Sequence, residues 1–149
     1  DKFYQACIDD VKEPVEMDFY MNAIDDQASS LCVPAEDKKN AFREPIKVQV
    51  LNLNDIIEDN IPEGTIHFLK IDAEGKDLHI VKSLRKDVLN RIKYIAVECP
   101  MTKPRLEGEV VKEKCIEYFQ SINFEVFYVH DTDNGSDVSD VVFVNEVDL

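Results

Sequence analysis

Glycine is scarce in this chain of 149 residues, which contains only four, and no two of them form a G-x-G turn. A glycine-rich loop that brings backbone amides close to a cofactor is therefore absent from the sequence. Long apolar runs are also absent, because none approaches the roughly 18 residues that span a bilayer. The sequence contains no signal-peptide pattern either. We therefore expect no membrane span and a cytoplasmic location.

Basic residues are outnumbered, with 17 Lys and Arg against 31 Asp and Glu, so the formal net charge is −14. A chain with this charge repels phosphate backbones, and we expect no nucleic-acid partner. The simplest explanation of the acidity is a well-solvated surface.

The four cysteines are Cys7, Cys32, Cys99 and Cys115, and no two of them form a C-x-x-C pair. This spacing excludes the zinc sites that such pairs build. Free thiols in a reducing compartment are the expected state, with a Cys7–Cys32 disulfide as the open alternative.

Residues 65–75, T-I-H-F-L-K-I-D-A-E-G, organise the rest of the chain. An apolar run over residues 66–71 ends in Asp72, Glu74 and Gly75, and residues 77–92 follow with a helical apolar pattern. This order is typical of a buried parallel strand in an α/β sheet. Ligands of such sheets bind beyond the carboxyl ends of the strands, where Asp72 and Glu74 fall.

Further strands and helices are indicated on both sides of that run. Predicted strands cover residues 3–8, 15–21, 46–51, 92–100, 124–129 and 138–144, and predicted helices cover residues 53–59 and 109–121. Asn134-Gly135 between the last two strands indicates a tight turn. The order predicts one α/β domain with a mostly parallel sheet and a C-terminal antiparallel hairpin.

Three carboxylates are the candidate catalytic residues. Asp72 and Glu74 end one predicted strand and Glu98 ends the next, so their side chains are expected to meet at one pocket. Asp72 and Glu74 could instead cap the following helix, because carboxylates suit a helix N-terminus. His79 and Asp77 would add to a metal cluster there, but the spacing matches no familiar ligand pattern, and we predict no metal site.

Residues 68–75, F-L-K-I-D-A-E-G, match the K-I-D-x-E-G signature of the FkbM family of S-adenosylmethionine-dependent methyltransferases. Residues 50–57, V-L-N-L-N-D-I-I, resemble the segment of that family just upstream. Residues 95–98, I-A-V-E, resemble the strand that follows the signature and also ends in Glu. Residues 6–9, A-C-I-D, resemble the A-l-x-D after the family's third strand.

The resemblance implies a partial Rossmann-like methyltransferase sheet with S-adenosylmethionine as the cofactor. It implies cofactor contacts for Ala6, Ile8 and Asp72, and catalytic roles for Asp72, Glu74 and Glu98. The methyl acceptor would be a hydroxyl of a sugar or another small molecule, and a carboxylate could take its proton.

The chain departs from the family where the cofactor loop should be. The glycine-rich turn and the Glu that usually holds the cofactor ribose have no counterpart, so residues 1–149 resemble the C-terminal portion of one domain. About two βα units of roughly 30 residues each would be lacking. We expect the isolated chain to bind the cofactor poorly and to be inactive.

Two other functions remain open at this level. A non-catalytic α/β module that lost the cofactor loop could serve in binding or assembly, and a carboxylate metal hydrolase is a weaker alternative. An uncovered sheet edge would also favour self-association.

Overall fold

The computed structural model describes residues 2–24, 29–34, 36–106, 108–131 and 137–146. The strands of this part are β1 (Cys7–Ile8), β2 (Val15–Phe19), β3 (Ile46–Leu51), β4 (Ile66–Lys70), β5 (Ile92–Pro100), β6 (Phe124–Asp131) and β7 (Val138–Asn145). The helices are α1 (Leu53–Asn60), α2 (Asp77–Ser83), α3 (Lys86–Leu89) and α4 (Lys112–Ser121), with a 3-10 helix over Glu36–Ala41.

The described strands form two mixed sheets. In the smaller sheet, of order β1-β3-β2, β3 is parallel to β1 and antiparallel to β2. In the larger, of order β4-β5-β7-β6, β4 and β5 are parallel, whereas β7 is antiparallel to both β5 and β6. The α/β class is confirmed, but the expected predominance of parallel pairs is not found, because the C-terminal hairpin places β7 beside β5. That hairpin is confirmed, while Asn134-Gly135 at its turn lies outside the described residues.

The hydrophobic core lies between the larger sheet and its helices. Helices α2 and α4 both contact β5, whose Ile95 and Val97 are fully buried. On α4, the ring of Phe119 stacks on Phe143 of β7 with centroids 3.7 Å apart. Full burial of side chains of this size contributes about 1.5–3 kcal/mol each, so this layer is the main source of stability for the sheet that carries the candidate site.

The helix predicted over residues 77–92 is two helices, because α2 ends at Ser83 and α3 begins at Lys86. The buried side chain of Asn54 lies at the break. Its amide donates to the Ser83 carbonyl oxygen, 3.0 Å away, and its oxygen accepts from the Arg85 amide at 2.9 Å. Asn54 thus satisfies backbone groups that a continuous helix would have paired.

Strand β4 is an edge strand, which corrects the expectation of an interior strand. Among the described residues it pairs with β5 on one side only, and Phe68 at its centre is 56% exposed. The apolar run of residues 66–71 indicated a strand but could not show how many neighbours it has. The predicted strand over residues 3–8 is also shorter than expected and is limited to β1.

None of the described helices is both long and apolar enough to cross a bilayer. All four cysteines lie in the described segments and are free thiols, so the alternative Cys7–Cys32 disulfide is not formed.

Candidate active site

Asp72, Glu74 and Glu98 come together at one end of the larger sheet. Strands β4 and β5 run in parallel with Lys70 opposite Ala96, so their carboxyl ends lie side by side. Each of the three acids offers a carboxylate oxygen within 4.8 Å of the others. The predicted meeting of these acids is therefore found, and it follows from the parallel register of the two strands.

A sharp turn at Glu74-Gly75 aims these carboxylates. Both residues have positive φ, +44° at Glu74 and +96° at Gly75. The Ser30 hydroxyl donates a hydrogen bond of 2.6 Å to the Glu74 carbonyl oxygen. This bond ties the turn to the segment between β2 and β3 of the smaller sheet. Positive φ favours glycine, so Gly75 permits the tight turn between β4 and α2.

Neither Asp72 nor Glu74 caps α2, so that alternative interpretation is wrong. The N-cap residue of α2 is Lys76, and this helix has no side-chain capping bond. Asp72 instead accepts a hydrogen bond of 3.2 Å from the ammonium of Lys70, which also lies 3.3 Å from Asp140. The N-terminus of α2 therefore occupies neither carboxylate.

Asp77, the first residue of α2, is the buried anchor of the turn. One of its oxygens accepts from the Ala73 amide at 3.3 Å and the other from the Glu98 amide at 3.2 Å. Burial raises the pKa of Asp77 to about 6, because it disfavours the charged form. No local pattern in the sequence predicts this anchoring role.

Arg105 contacts the site from the loop after β5. Its guanidinium donates to Glu98 at 2.8 Å and lies 3.8 Å from Glu74. Burial, followed by repulsion from Glu98, raises the pKa of Glu74 to about 7, while Arg105 acts in the opposite direction. Glu74 is therefore poised to gain and lose a proton near neutral pH.

His79 lies apart from the carboxylate cluster. Its Nε2 atom is 3.2 Å from the buried Asp9, which also pairs with the Lys76 ammonium at 3.0 Å. The metal cluster of Asp72, Glu74, Asp77 and His79 considered from the sequence is thus not assembled.

A cavity of about 760 Å³ opens beside the carboxylates. Its wall includes all five predicted site residues, namely Ala6, Ile8, Asp72, Glu74 and Glu98. The other lining residues are mostly apolar, among them Phe19 of β2, Leu69 of β4 and Leu31 from the segment between β2 and β3. This size and this mixture of apolar walls with a few convergent polar groups are typical of small-molecule sites.

The family model of the Methyltransferase FkbM domain matches residues 6–137. The chain belongs to this family. Separate comparisons with curated proteins and with solved structures found no match.

In this FkbM methyltransferase domain, the signature residues 70–75 form the end of β4 and the turn that carries Asp72 and Glu74. The acids are predictable from sequence because an apolar strand ending in charge is a local signal. Arg105 is not, because it lies in a loop without a readable motif and its distance in sequence from Glu74 leaves no local signal of their contact.

Proposed function

We propose that this FkbM domain acts in S-adenosylmethionine-dependent methyl transfer to a hydroxyl group of a sugar or another small molecule. The observation that carries the proposal is the convergence of Asp72, Glu74 and Glu98 on one cavity in a chain of a methyltransferase family. A cavity of about 760 Å³ falls within the range of roughly 300–1,000 Å³ for small-molecule pockets.

The donor set suits a cationic cofactor. S-adenosylmethionine, when bound, supplies a methyl group on a positively charged sulfur. Asp72 offers a carboxylate to that cation, and Ala6 and Ile8, which also line the cavity, offer contacts to its uncharged parts. Carboxylates stabilise a nearby positive charge, most strongly where water is partly excluded.

The acceptor hydroxyl must lose its proton as its oxygen forms the new bond to carbon. Glu74 is the proposed proton acceptor, because its pKa of about 7 matches a base that works near neutral pH. Glu98 beside it would accept a hydrogen bond from a second hydroxyl of the same molecule and so orient the acceptor. This division gives the two neighbouring glutamates different tasks at one end of the cavity.

The proposal includes the interpretation that residues 1–149 form the C-terminal portion of a Rossmann-like domain. It is supported by the lack of any G-x-G turn and by the free edge of β4 among the described strands, where a further strand could pair. The chain would then retain the acceptor side of the site and only part of the cofactor side.

An NMR titration of the isotope-labelled chain with S-adenosylmethionine tests the proposal. We expect millimolar binding, with shifted amide signals at Ala6, Ile8 and Asp72. The variant Asp72→Asn should weaken the shifts, whereas Asp10→Asn, which removes an exposed charge, should not. Unshifted signals at all three residues would refute the site, and micromolar affinity would refute the partial-domain interpretation.

The two alternatives from the sequence are not favoured by membership of a methyltransferase family. A non-catalytic module would share this fold with the enzyme. The coding sequence upstream of Asp1 would distinguish the two. A D-x-G-A-N-x-G-like stretch about 60 residues before Asp1, about two βα units away, would favour the enzyme. A metal hydrolase would lose bound metal in Asp72→Asn.

A reducing, cytoplasmic environment is part of the proposal, supported by the four free thiols. Exposure of the chain to oxidant, followed by thiol counting, would test it, since a disulfide formed without loss of structure would argue for an oxidising compartment.

A further inference from the structure

One nitrogen of Arg105 faces three glutamates. The Nη2 atom lies 2.8 Å from Glu98, 2.6 Å from Glu109 and 3.8 Å from Glu74. Only the first two distances are hydrogen bonds, because the third exceeds the normal range. The guanidinium therefore pairs fully with Glu98 and Glu109 and leaves Glu74 as a neighbour without a direct bond.

Glu109 holds the guanidinium in place independently of the cavity. Its side chain is 3% exposed, and its Oε1 atom accepts from both Nε and Nη2 of Arg105, at 3.0 and 2.6 Å. Its Oε2 atom accepts from the backbone amides of Arg105 and Leu106. Charge-assisted hydrogen bonds from two donors of one guanidinium to one carboxylate oxygen restrict its orientation as well as adding energy.

Arg105 does not line the cavity in the described part of the chain, whereas Glu74 and Glu98 do. A ligand in the cavity would thus meet the two glutamates, with Arg105 behind them. Arg105 can therefore influence the position and charge of these carboxylates without contacting the ligand itself.

We propose that Arg105 is a positioning residue that fixes Glu98 as an orienting carboxylate and leaves Glu74 as the proton-exchanging group. The assignment rests on the proposed function and deepens it. The guanidinium hydrogen-bonds to Glu98 and not to Glu74, and this difference separates the tasks of the two acids. The acceptor hydroxyl of a sugar would then surrender its single proton to Glu74, while a neighbouring hydroxyl of the same molecule would donate a hydrogen bond to Glu98 for orientation.

Other charged groups also face Glu74. Glu98 lies beside it on β5, Asp72 precedes it at the end of β4, and Asp77 follows it on α2; all three repel its charge, and Arg105 is the cation that opposes them. Lys76, which shares the cavity wall, is paired with Asp9. Removal of Arg105 should therefore make the charged form of Glu74 less favourable.

Carbon-detected NMR of the chain with labelled glutamate side chains is the test. The parent chain should show a carboxyl signal with a midpoint near pH 7, and this signal should vanish in Glu74→Gln. In Arg105→Met the midpoint should move to higher pH, and in Arg105→Lys it should stay closer to the parent. Arg43→Met, which removes an exposed cation elsewhere, serves as the control.

The parent chain provides a second measurement that needs no variant. The Nε–H signal of Arg105 should shift with pH at the same midpoint as the Glu74 carboxyl carbon, because the two groups are neighbours. The proposal would be overturned if the Glu74 midpoint were unchanged in Arg105→Met, or if the chemical shift of the Arg105 Nε–H did not change as Glu74 titrates.

The pH midpoint of Glu74 is measured without cofactor, so it tests the role of Arg105 independently of S-adenosylmethionine binding. A shifted midpoint without any S-adenosylmethionine binding would support the role of Arg105 and refute only the methyl-transfer site. Binding of S-adenosylmethionine with an unmoved midpoint would refute only the role of Arg105.

Discussion

The backbone amide of Glu98 donates a hydrogen bond to the Asp77 carboxylate, 3.2 Å away, and so joins the end of β5 to the start of α2. The second Asp77 oxygen accepts from the Ala73 amide in the turn after β4. A single buried side chain thereby sets the turn that carries Asp72 and Glu74 beside the strand that carries Glu98.

Asp77→Ala should lower the free energy of unfolding by about 2–4 kcal/mol, because two amides lose an ionised acceptor. Asp55→Ala is the matched control, since Asp55 also lies in the first turn of a helix but is exposed. Its loss should cost only about 0.3–1 kcal/mol through the helix dipole. Urea unfolding at pH 7 measures both, and equal costs would show that Asp77 does not anchor the turn.

Glu74→Gln should change the pH dependence of stability. The folded state raises the pKa of Glu74 from 4.5 to about 7, so it holds the proton at pH values where the unfolded chain has released it. Stability contributed by this group is therefore present below about pH 4.5 and lost as the pH rises toward 7.

The Gln variant should accordingly be more stable than the parent at pH 8 and similar to it at pH 4. The gain should be on the order of 1 kcal/mol, discounted for the partial exposure of the side chain. Thermal unfolding across this range measures it, with Glu113→Gln, an exposed acid in the first turn of α4, as the control for the lost charge. A variant less stable than the parent at pH 8 would contradict the buried-acid account.

Gly75→Ala should destabilise the chain more than Gly64→Ala. Both glycines have positive φ, so both substitutions carry the backbone cost of about 1–2 kcal/mol. Only at Gly75 would the new methyl meet neighbours, Leu106 at 3.2 Å and Cys32 at 3.3 Å, whereas nothing lies within 4 Å of the same position at Gly64. The difference should be about 1 kcal/mol in denaturant unfolding. Equal losses of stability in the two variants would mean that Leu106 and Cys32 shift without cost to accommodate the methyl group at position 75.

Asn54→Ala should cost about 1–3 kcal/mol, because the backbone groups of Ser83 and Arg85 lose their partner at the break between α2 and α3. Asn90→Ala, at the exposed end of α3, should stay within about 0.5 kcal/mol of the parent. Amide exchange at Arg85 should also accelerate in the first variant, and unchanged protection there would argue against the bond.

Phe68→Lys should reduce self-association, which we propose for the free edge of β4. An exposed strand edge with an apolar side chain can pair with a strand of another chain, and a lysine at that edge disfavours the pairing. Light scattering over a range of concentrations measures the effect, with Phe3→Lys as the control, because Phe3 is exposed outside any strand. A parent chain that stays monomeric at every concentration would exclude this association.

The sequence by itself determined the elements that local patterns encode. Strand β3, strand β5, the C-terminal hairpin and the acid-bearing turn at Gly75 were all found, because alternation, buried apolar runs and turn residues are local signals. The carboxylate cluster followed as well, since Asp72 and Glu98 each end a strand and parallel strands share an edge.

Only the tertiary structure decided how these elements are completed. The break after Ser83 depends on Asn54, about 30 residues away, and the contact of Arg105 with Glu98 depends on a loop without a pattern. The edge position of β4 depends on which strands are available to pair. Hydrogen bonds between distant segments leave no periodic trace in the sequence, and for that reason the guanidinium of Arg105 beside Glu74 and Glu98 became visible only in the folded chain.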